Sequence, residues 1–86
     1  MEKYRLLIKK SAADELGRIP KKELRLIVER IRGLGEDPRP DGCEKLSAQE
    51  RYRVRQGDYR VVYSIDDAER IVEIIKICQR AEIYRK

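Results

Sequence analysis

The chain has 86 residues, of which 21 are Lys or Arg and 16 are Asp or Glu, so its formal net charge is +5 at pH 7. This length predicts a single domain with one small core, and the 41% share of hydrophobic residues is sufficient to fill it. No apolar run approaches the roughly 20 residues that span a bilayer, and the N-terminus lacks a secretory pattern, so we expect a cytoplasmic protein. The chain has no histidine and only two cysteines, so we expect neither an ordinary zinc site nor a disulfide framework.

The first half of the chain predicts one strand followed by two helices. Alternating apolar residues within residues 2–9 indicate the strand. Ser11 is a candidate N-cap for a short helix that ends at Gly17. A second helix follows, and Gly33 and Gly35 are expected to end it. Its apolar residues recur at helical spacing as one stripe, which consists of Leu24, Ile27, Val28, Ile31 and Leu34.

The second half of the chain predicts three strands. Residues 52–63 indicate a β-hairpin, in which Tyr and Val alternate on one face and Gly57-Asp58 supplies the tight turn. Residues 71–78 are rich in β-branched side chains and almost continuously apolar, as is typical of a central strand. The order β-α-α-β-β-β predicts an α+β domain over residues 1–86. A twisted, mainly antiparallel sheet would carry the helical pair on one side.

The hairpin also carries a concentration of positive charge. Within residues 51–60, four arginines accompany a single acidic residue, Asp58. Because side chains alternate along a strand, Arg53 and Arg55 are expected on the face opposite the Tyr and Val residues. Arg60 begins the returning strand. Such a cluster on a rigid hairpin costs self-repulsion, so it indicates an anionic ligand.

The residue inventory limits the chemistry that the chain can perform. Without histidine, it lacks the side chain most often used for proton transfer near neutral pH. No glycine-rich phosphate loop is present, and the acidic residues are not spaced as metal ligands. Arginines and tyrosines can bind phosphate, neutralise charge at a pentacoordinate phosphorus and stack on bases. This inventory fits metal-free cleavage of RNA by its own 2′-hydroxyl, although the hairpin offers no evident general base because arginine stays protonated.

Four segments of the sequence resemble the RelE/ParE superfamily of bacterial and archaeal toxins. They are Lys45-Leu46-Ser47, Tyr52-Arg53-Val54-Arg55, Gly57-Asp58-Tyr59-Arg60-Val61-Val62-Tyr63 and Arg80-Ala81-Glu82-Ile83-Tyr84. The resemblance covers nearly the whole chain and implies the toxin of a toxin–antitoxin pair. RelE-like members cut mRNA in the ribosomal A site by attack of the 2′-hydroxyl, and they leave a 2′,3′-cyclic phosphate.

The resemblance also implies catalytic roles for individual residues. Arg53 and Arg55 fall where RelE proteins have basic residues around the scissile phosphate. Arg60 would stabilise the charge of the phosphorane, and Arg80 would act near the leaving 5′-oxygen. Tyr84 would stack on the nucleotide or orient it.

Binding partners follow from the same resemblance. Lys45 and Arg51 are expected to contact RNA together with Arg53 and Arg55. The implied partners are a cognate antitoxin, the ribosomal A site and its mRNA, with operator DNA reached only through the antitoxin complex. No metal ion or other cofactor is expected.

Departures from the RelE pattern leave other functions open. RelE itself has lysines at the positions of Arg53 and Arg55, and many relatives have a histidine where this chain has Gln79. One alternative is a ParE-like inhibitor of DNA gyrase, which shares the fold and performs no chemistry. Another is a catalytically weak relative that acts by binding antitoxin and operator DNA. The arginines could also be solubilising charges, and the hairpin tyrosines and Cys78 could be core residues.

Overall fold

The computed structural model describes residues 3–46 and 51–79 of the chain. The five strands of the sheet are arranged in the order β1-β5-β4-β3-β2. Among the described strands, β1 and β5 pair in parallel, and the other three neighbouring pairs are antiparallel. This architecture confirms the predicted α+β class. In chain order the elements are β1 Arg5–Ile8, α1 Lys10–Leu16, α2 Lys21–Glu36, β2 Glu44–Leu46, β3 Arg51–Gln56, β4 Tyr59–Asp66 and β5 Ile71–Gln79.

Strand β2 is the element that the sequence did not predict. It has three residues, Glu44-Lys45-Leu46, and lies at one edge of the sheet. It contains no β-branched residue and is too short to display alternation, so no local signal identifies it. Its position is set by pairing with β3, where Glu44 lies opposite Arg53 and Leu46 opposite Arg51. The unpredicted strand therefore brings an acidic residue next to the arginines of the hairpin.

Helix α1 begins earlier than the sequence indicated. Lys9 is the residue that precedes the helix, and its side chain makes no capping hydrogen bond. The carbonyl of Lys9 accepts the Ala13 N–H at 2.9 Å, which closes the first turn with backbone atoms alone. Ser11 therefore lies inside the helix, and its predicted N-cap role was wrong.

Helix α2 continues past the glycines that were expected to end it. Gly33 and Gly35 both lie within the helix, which ends at Glu36. The carbonyl of Gly35 accepts the backbone N–H of Tyr4 at 2.9 Å, so the helix end approaches the start of β1 closely. A Cβ atom on Gly35 would lie 3.3 Å from the Tyr4 carbonyl oxygen, which explains why a glycine stands there.

The core lies between the helices and one face of the sheet. Most of the predicted helical stripe is buried in it, but Val28 is 37% exposed. Strands β3 and β4 contribute Tyr52, Val54, Val61 and Tyr63, all of which are buried. Because side chains alternate along a strand, the intervening residues of the hairpin point to the opposite face. That face carries the arginines.

Candidate functional site

The hairpin turn sets the register that brings three arginines together. Gly57 occupies the first central position of the two-residue turn with φ +61°, as a type II′ turn requires. Arg55 then lies directly opposite Arg60. Arg53 follows on the same face, two residues away along β3. The predicted clustering of these arginines is therefore a consequence of backbone pairing.

The three arginines line one cavity of about 120 Å³, together with Gly42 and Glu44. This volume can hold several water molecules or a compact polar group, since one water needs only about 10–15 Å³ of such space. Gly42 has φ +89°, a conformation that favours glycine, and it leads the chain into β2. Three positive charges in one small cavity make it a candidate site for an anion.

Arg60 is the one charged residue that is buried in the described parts of the chain, with an exposed fraction of 5%. Its Nη1 atom is buried and has no hydrogen-bond partner among the described residues. Burying an ionised group without a partner is costly, and buried polar atoms are nearly always hydrogen-bonded. An anion bound in the cavity would provide the missing acceptor.

Glu44 is the acidic residue of the site, and sequence reasoning missed it. Its Oε1 accepts hydrogen bonds from Arg53, from Nε at 3.0 Å and from Nη2. The Arg53 guanidinium is the main cause that lowers the pKa of Glu44 below its ordinary value of 4.5, and the charges of Arg60 and Arg55 add to the effect. Glu44 is therefore a carboxylate at neutral pH.

The other predicted RNA-binding residues do not line the cavity. Arg51 lies on the same face of β3 as Arg53 but further from the turn, opposite Ser64, and it is exposed. Lys45 pairs with Tyr52, so it lies on the side of the sheet that carries the core aromatics. Arg51 can extend the positive surface of the cavity, whereas Lys45 is directed away from it.

Two of the predicted catalytic residues, Arg80 and Tyr84, lie outside the described residues. Of the five predicted catalytic positions, the described structure thus brings together Arg53, Arg55 and Arg60. It adds Glu44, which only the pairing of β2 with β3 could have indicated.

The segment that precedes β2 is held against the sheet by buried tyrosines. The Tyr63 hydroxyl donates a hydrogen bond to the Pro38 carbonyl oxygen at 2.6 Å. Burial is the main cause that raises the pKa of Tyr63 well above its usual range. The Tyr63 ring also stacks on Tyr52, with 5.9 Å between centroids. These contacts confirm the interpretation of Tyr52 and Tyr63 as core residues.

Arg39 provides a second anchor for the same segment. Its guanidinium donates to the Tyr52 hydroxyl at 3.3 Å and to Asp67 at 3.0 Å, and it lies 5.2 Å from the centroid of the Tyr52 ring. Asp67 also accepts a 2.6 Å hydrogen bond from the Tyr4 hydroxyl. The hydrogen bond from Arg39 lowers the pKa of Asp67 most, and the hydrogen bond from Tyr4 is the next largest cause. The loop that leads to Glu44 is therefore fixed at two points.

The described residues give no indication of a metal centre or a membrane segment. No group of three or more His, Cys, Asp or Glu side chains in them could hold a metal ion. No helix within residues 3–46 and 51–79 is long and apolar enough to cross a membrane. Neither Cys43 nor Cys78 forms a disulfide, and Cys78 is buried, as its position in an apolar strand predicted.

The small basic α+β domain agrees with the fold of the RelE/ParE toxin superfamily, which the sequence motifs predicted. The family described as "ParE toxin of type II toxin-antitoxin system, parDE" matches residues 6–84. The chain belongs to this family. The match covers every described strand and helix except the first residue of β1.

Known relatives and solved structures agree with this assignment. The chain is 38% identical over 84 residues to Toxin RelE of Mycobacterium tuberculosis. The aligned residues cover 95% of this chain and 87% of that protein. It is 31% identical over 85 residues to Toxin RelG of the same organism, with 96% and 98% covered. A chain of the archaeal RelE–RelB complex from Pyrococcus horikoshii OT3 has a TM-score of 0.83 and 32% identity, with 91% and 96% covered.

Proposed function

We propose that the chain is a ribosome-dependent endoribonuclease that cuts mRNA in the A site and so inhibits translation. The observation that carries this proposal is the buried Arg60, whose Nη1 lacks a partner among the described residues, in a cavity that it shares with Arg53 and Arg55. A preformed cationic cavity suits a phosphodiester, which presents two non-bridging oxygens to several donors. The RelE names of the 38% identical relative and of the archaeal neighbour support the same activity.

In this proposal the arginines stabilise the transition state of transesterification. The 2′-oxygen bonds to the adjacent phosphorus while the bond to the 5′-oxygen breaks, and negative charge accumulates on the non-bridging oxygens. Arg60 is positioned to receive that charge because it is buried and oriented by its strand before RNA arrives. Arg53 and Arg55 hold the phosphate. Arg80 near the leaving oxygen and Tyr84 against the nucleotide remain predictions.

Glu44 supplies the proton acceptor that the hairpin itself lacks. It contributes the carboxylate that lines the cavity, and it is ionised at neutral pH. In the proposed step it accepts the proton of the 2′-hydroxyl, the O2′–P bond forms, and the bond from phosphorus to the 5′-oxygen breaks. The 5′-oxygen takes a proton from water, and the resulting hydroxide takes the proton from Glu44, which returns to its carboxylate form. A carboxylate with a lowered pKa is a weak base, so Glu44 in its present hydrogen bonds is poorly prepared for this role.

The proposed partners follow from the function and from the relatives. A cognate antitoxin is proposed because the structural neighbours from Pyrococcus horikoshii and Mycobacterium tuberculosis are described as RelE–RelB and toxin–antitoxin complexes. An acidic antitoxin would complement the net charge of +5. The ribosomal A site and its mRNA are the proposed targets, in the cytoplasm, and operator DNA is contacted only through the antitoxin complex.

The test is the purified chain added to a translating extract with a defined mRNA. Primer extension should reveal cleavage within the A-site codon, and the upstream fragment should end in a 2′,3′-cyclic phosphate. Arg55→Gln, an exposed cavity residue, should reduce cleavage without changing the circular dichroism spectrum. Intact A-site mRNA together with unchanged protein synthesis would overturn the proposal.

A second function, inhibition of DNA gyrase, is favoured by one observation. The matching family carries the ParE name, whereas the most similar relatives described above carry the RelE and RelG names. A supercoiling assay with purified gyrase separates the two functions. Inhibition of supercoiling with no mRNA cleavage would favour the ParE-like function, in which Arg60 would contact protein rather than RNA.

A further inference from the structure

The proposed mechanism does not explain why Arg53 is already paired with an acidic residue in the free protein. In the free protein its Nε and Nη2 both donate to Oε1 of Glu44. These two atoms form one edge of the guanidinium, the same edge that binds phosphate in a side-on, bidentate arrangement. One of the three arginines of the cavity is therefore already occupied by a carboxylate of the same chain.

The two partners differ in how readily they can move. Glu44 lies on the three-residue edge strand, and its side chain is 63% exposed. Arg53 lies on β3 between two paired strands, and its side chain is 28% exposed. The exposed Glu44 side chain can rotate off Arg53 without disturbing the core and still border the cavity, whereas the Arg53 side chain is more enclosed. An incoming anion would thus displace the carboxylate rather than the guanidinium.

We propose that the Glu44 carboxylate and the RNA phosphate compete for Arg53, so that phosphate binds in the cavity by replacing the carboxylate on that guanidinium. This inference rests on the proposed function and adds its regulation. In the free protein Glu44 offsets the repulsion among Arg53, Arg55 and Arg60. When the phosphate is bound, the phosphate offsets that repulsion instead.

The exchange has a consequence for the proton transfer proposed above. The hydrogen bonds from Arg53 are the largest cause of the lowered pKa of Glu44. Once phosphate takes Arg53, those hydrogen bonds are lost, and the negative phosphate group further raises the pKa of the carboxylate. Glu44 becomes a stronger base at the moment when RNA occupies the site. Substrate binding therefore activates the group that deprotonates the 2′-hydroxyl.

A double-mutant cycle with inorganic phosphate as the probe tests the competition. Phosphate is titrated into the full chain and followed by the NMR signals of the arginine Nε–H groups, for the wild type, Glu44→Gln, Arg53→Gln and the double variant. Glu44→Gln should bind phosphate about tenfold more tightly than the wild type. Arg53→Gln should lower the affinity by less than about twofold in the wild-type background, but by about tenfold in the Glu44→Gln background.

The controls distinguish competition from a general effect of charge. Asp58→Asn removes the same charge from the turn of the same hairpin, outside the cavity, and should change the affinity by less than about twofold. If Glu44 acted only as a nearby negative charge, Glu44→Gln would raise the affinity equally with and without Arg53. Additive effects in the cycle, or no phosphate binding by Glu44→Gln, would overturn the inference. Because the titration contains no ribosome, its outcome is separate from that of the cleavage assay.

Discussion

Arg39 and Arg60 are associated with opposite faces of the β3–β4 hairpin, and their surroundings differ in an instructive way. The side chain of Arg39 is 43% exposed, yet its guanidinium is hydrogen-bonded to Asp67 and to the Tyr52 hydroxyl. Arg60 is almost completely buried, yet its Nη1 has no partner among the described residues. Burial alone would predict the reverse, since a buried charge needs partners more than an exposed one does.

The difference indicates separate roles for the two arginines. Arg39 has its partners within the chain, so its contribution is to stability and to the position of the loop before β2. Arg60 is a charge that the fold keeps buried in the cavity at a cost, and an anion bound there would offset that cost. Substitution of Arg39 should therefore mainly lower stability, whereas substitution of Arg60 should mainly lower activity.

The largest expected effect is the loss of activity on replacing Arg60. Arg60→Met keeps the length and apolar bulk of the side chain but removes the charge. We expect A-site cleavage to fall by about 100-fold or more, as for the loss of one donor to a developing oxyanion. Thermal unfolding should occur at the same or a higher temperature, because a buried guanidinium nitrogen without a partner among the described residues has been removed. A lower Tm with unchanged cleavage would mean that Arg60 is structural, and the contrast with Arg39 would fail.

Tyr63→Phe should produce the largest loss of stability among the residues that anchor the loop. The substitution leaves the Pro38 carbonyl without its 2.6 Å hydrogen bond from the Tyr63 hydroxyl. A buried acceptor without its donor costs about 1–3 kcal/mol, which urea unfolding measures directly. Tyr59→Phe is a matched control on the same strand, since the Tyr59 side chain is only half-buried. Equal losses for the two variants would argue against the anchor.

Replacing Arg39 should cost less than replacing Tyr63. Arg39→Met removes an exposed ion pair with Asp67, worth up to about 1 kcal/mol, and a cation–π contact with Tyr52 of about 0.5–1 kcal/mol. We therefore expect the free energy of unfolding to fall by about 1 kcal/mol. Lys10→Met, which loses an exposed helical ion pair with Asp14, is the control and should change stability much less. A loss of cleavage as large as that of Arg60→Met would contradict the assigned roles.

The sequence predicted the parts of the molecule that local signals specify. The hairpin follows from the Gly57-Asp58 turn and the alternation of Tyr and Val, and these also place Arg53 and Arg55 on one face. The helical stripe and the β-branched strand that ends in Cys78 are equally local, because each is visible within one short window.

Features that depend on distant residues could not be predicted in the same way. Strand β2 exists because Glu44 pairs with Arg53, nine residues later, and its own three residues carry no strand signal. The burial of Arg60 depends on neighbouring strands on both sides. The contact between Arg39 and Asp67 joins residues 28 apart. The sequence did not indicate Glu44 as a cavity residue because it did not predict the strand that carries Glu44.

The smallest expected effect is the dependence of stability on pH at Asp67. Arg39 and Tyr4 lower the pKa of this carboxyl in the folded protein below its ordinary value of 3.8. A lowered pKa in the folded state gives stability that is present above the unfolded pKa and lost as the pH falls through the folded pKa. The Tm of the wild type should therefore decrease below about pH 4, and Asp67→Asn should have a lower Tm at pH 7 but a shallower decrease. The control is Asp41→Asn, at an exposed position in the loop before β2, and its Tm should fall with decreasing pH as steeply as that of the wild type. Parallel curves for the wild type and Asp67→Asn would show that the Arg39–Asp67 pair does not stabilise the fold, and that the contrast with Arg60 concerns only activity.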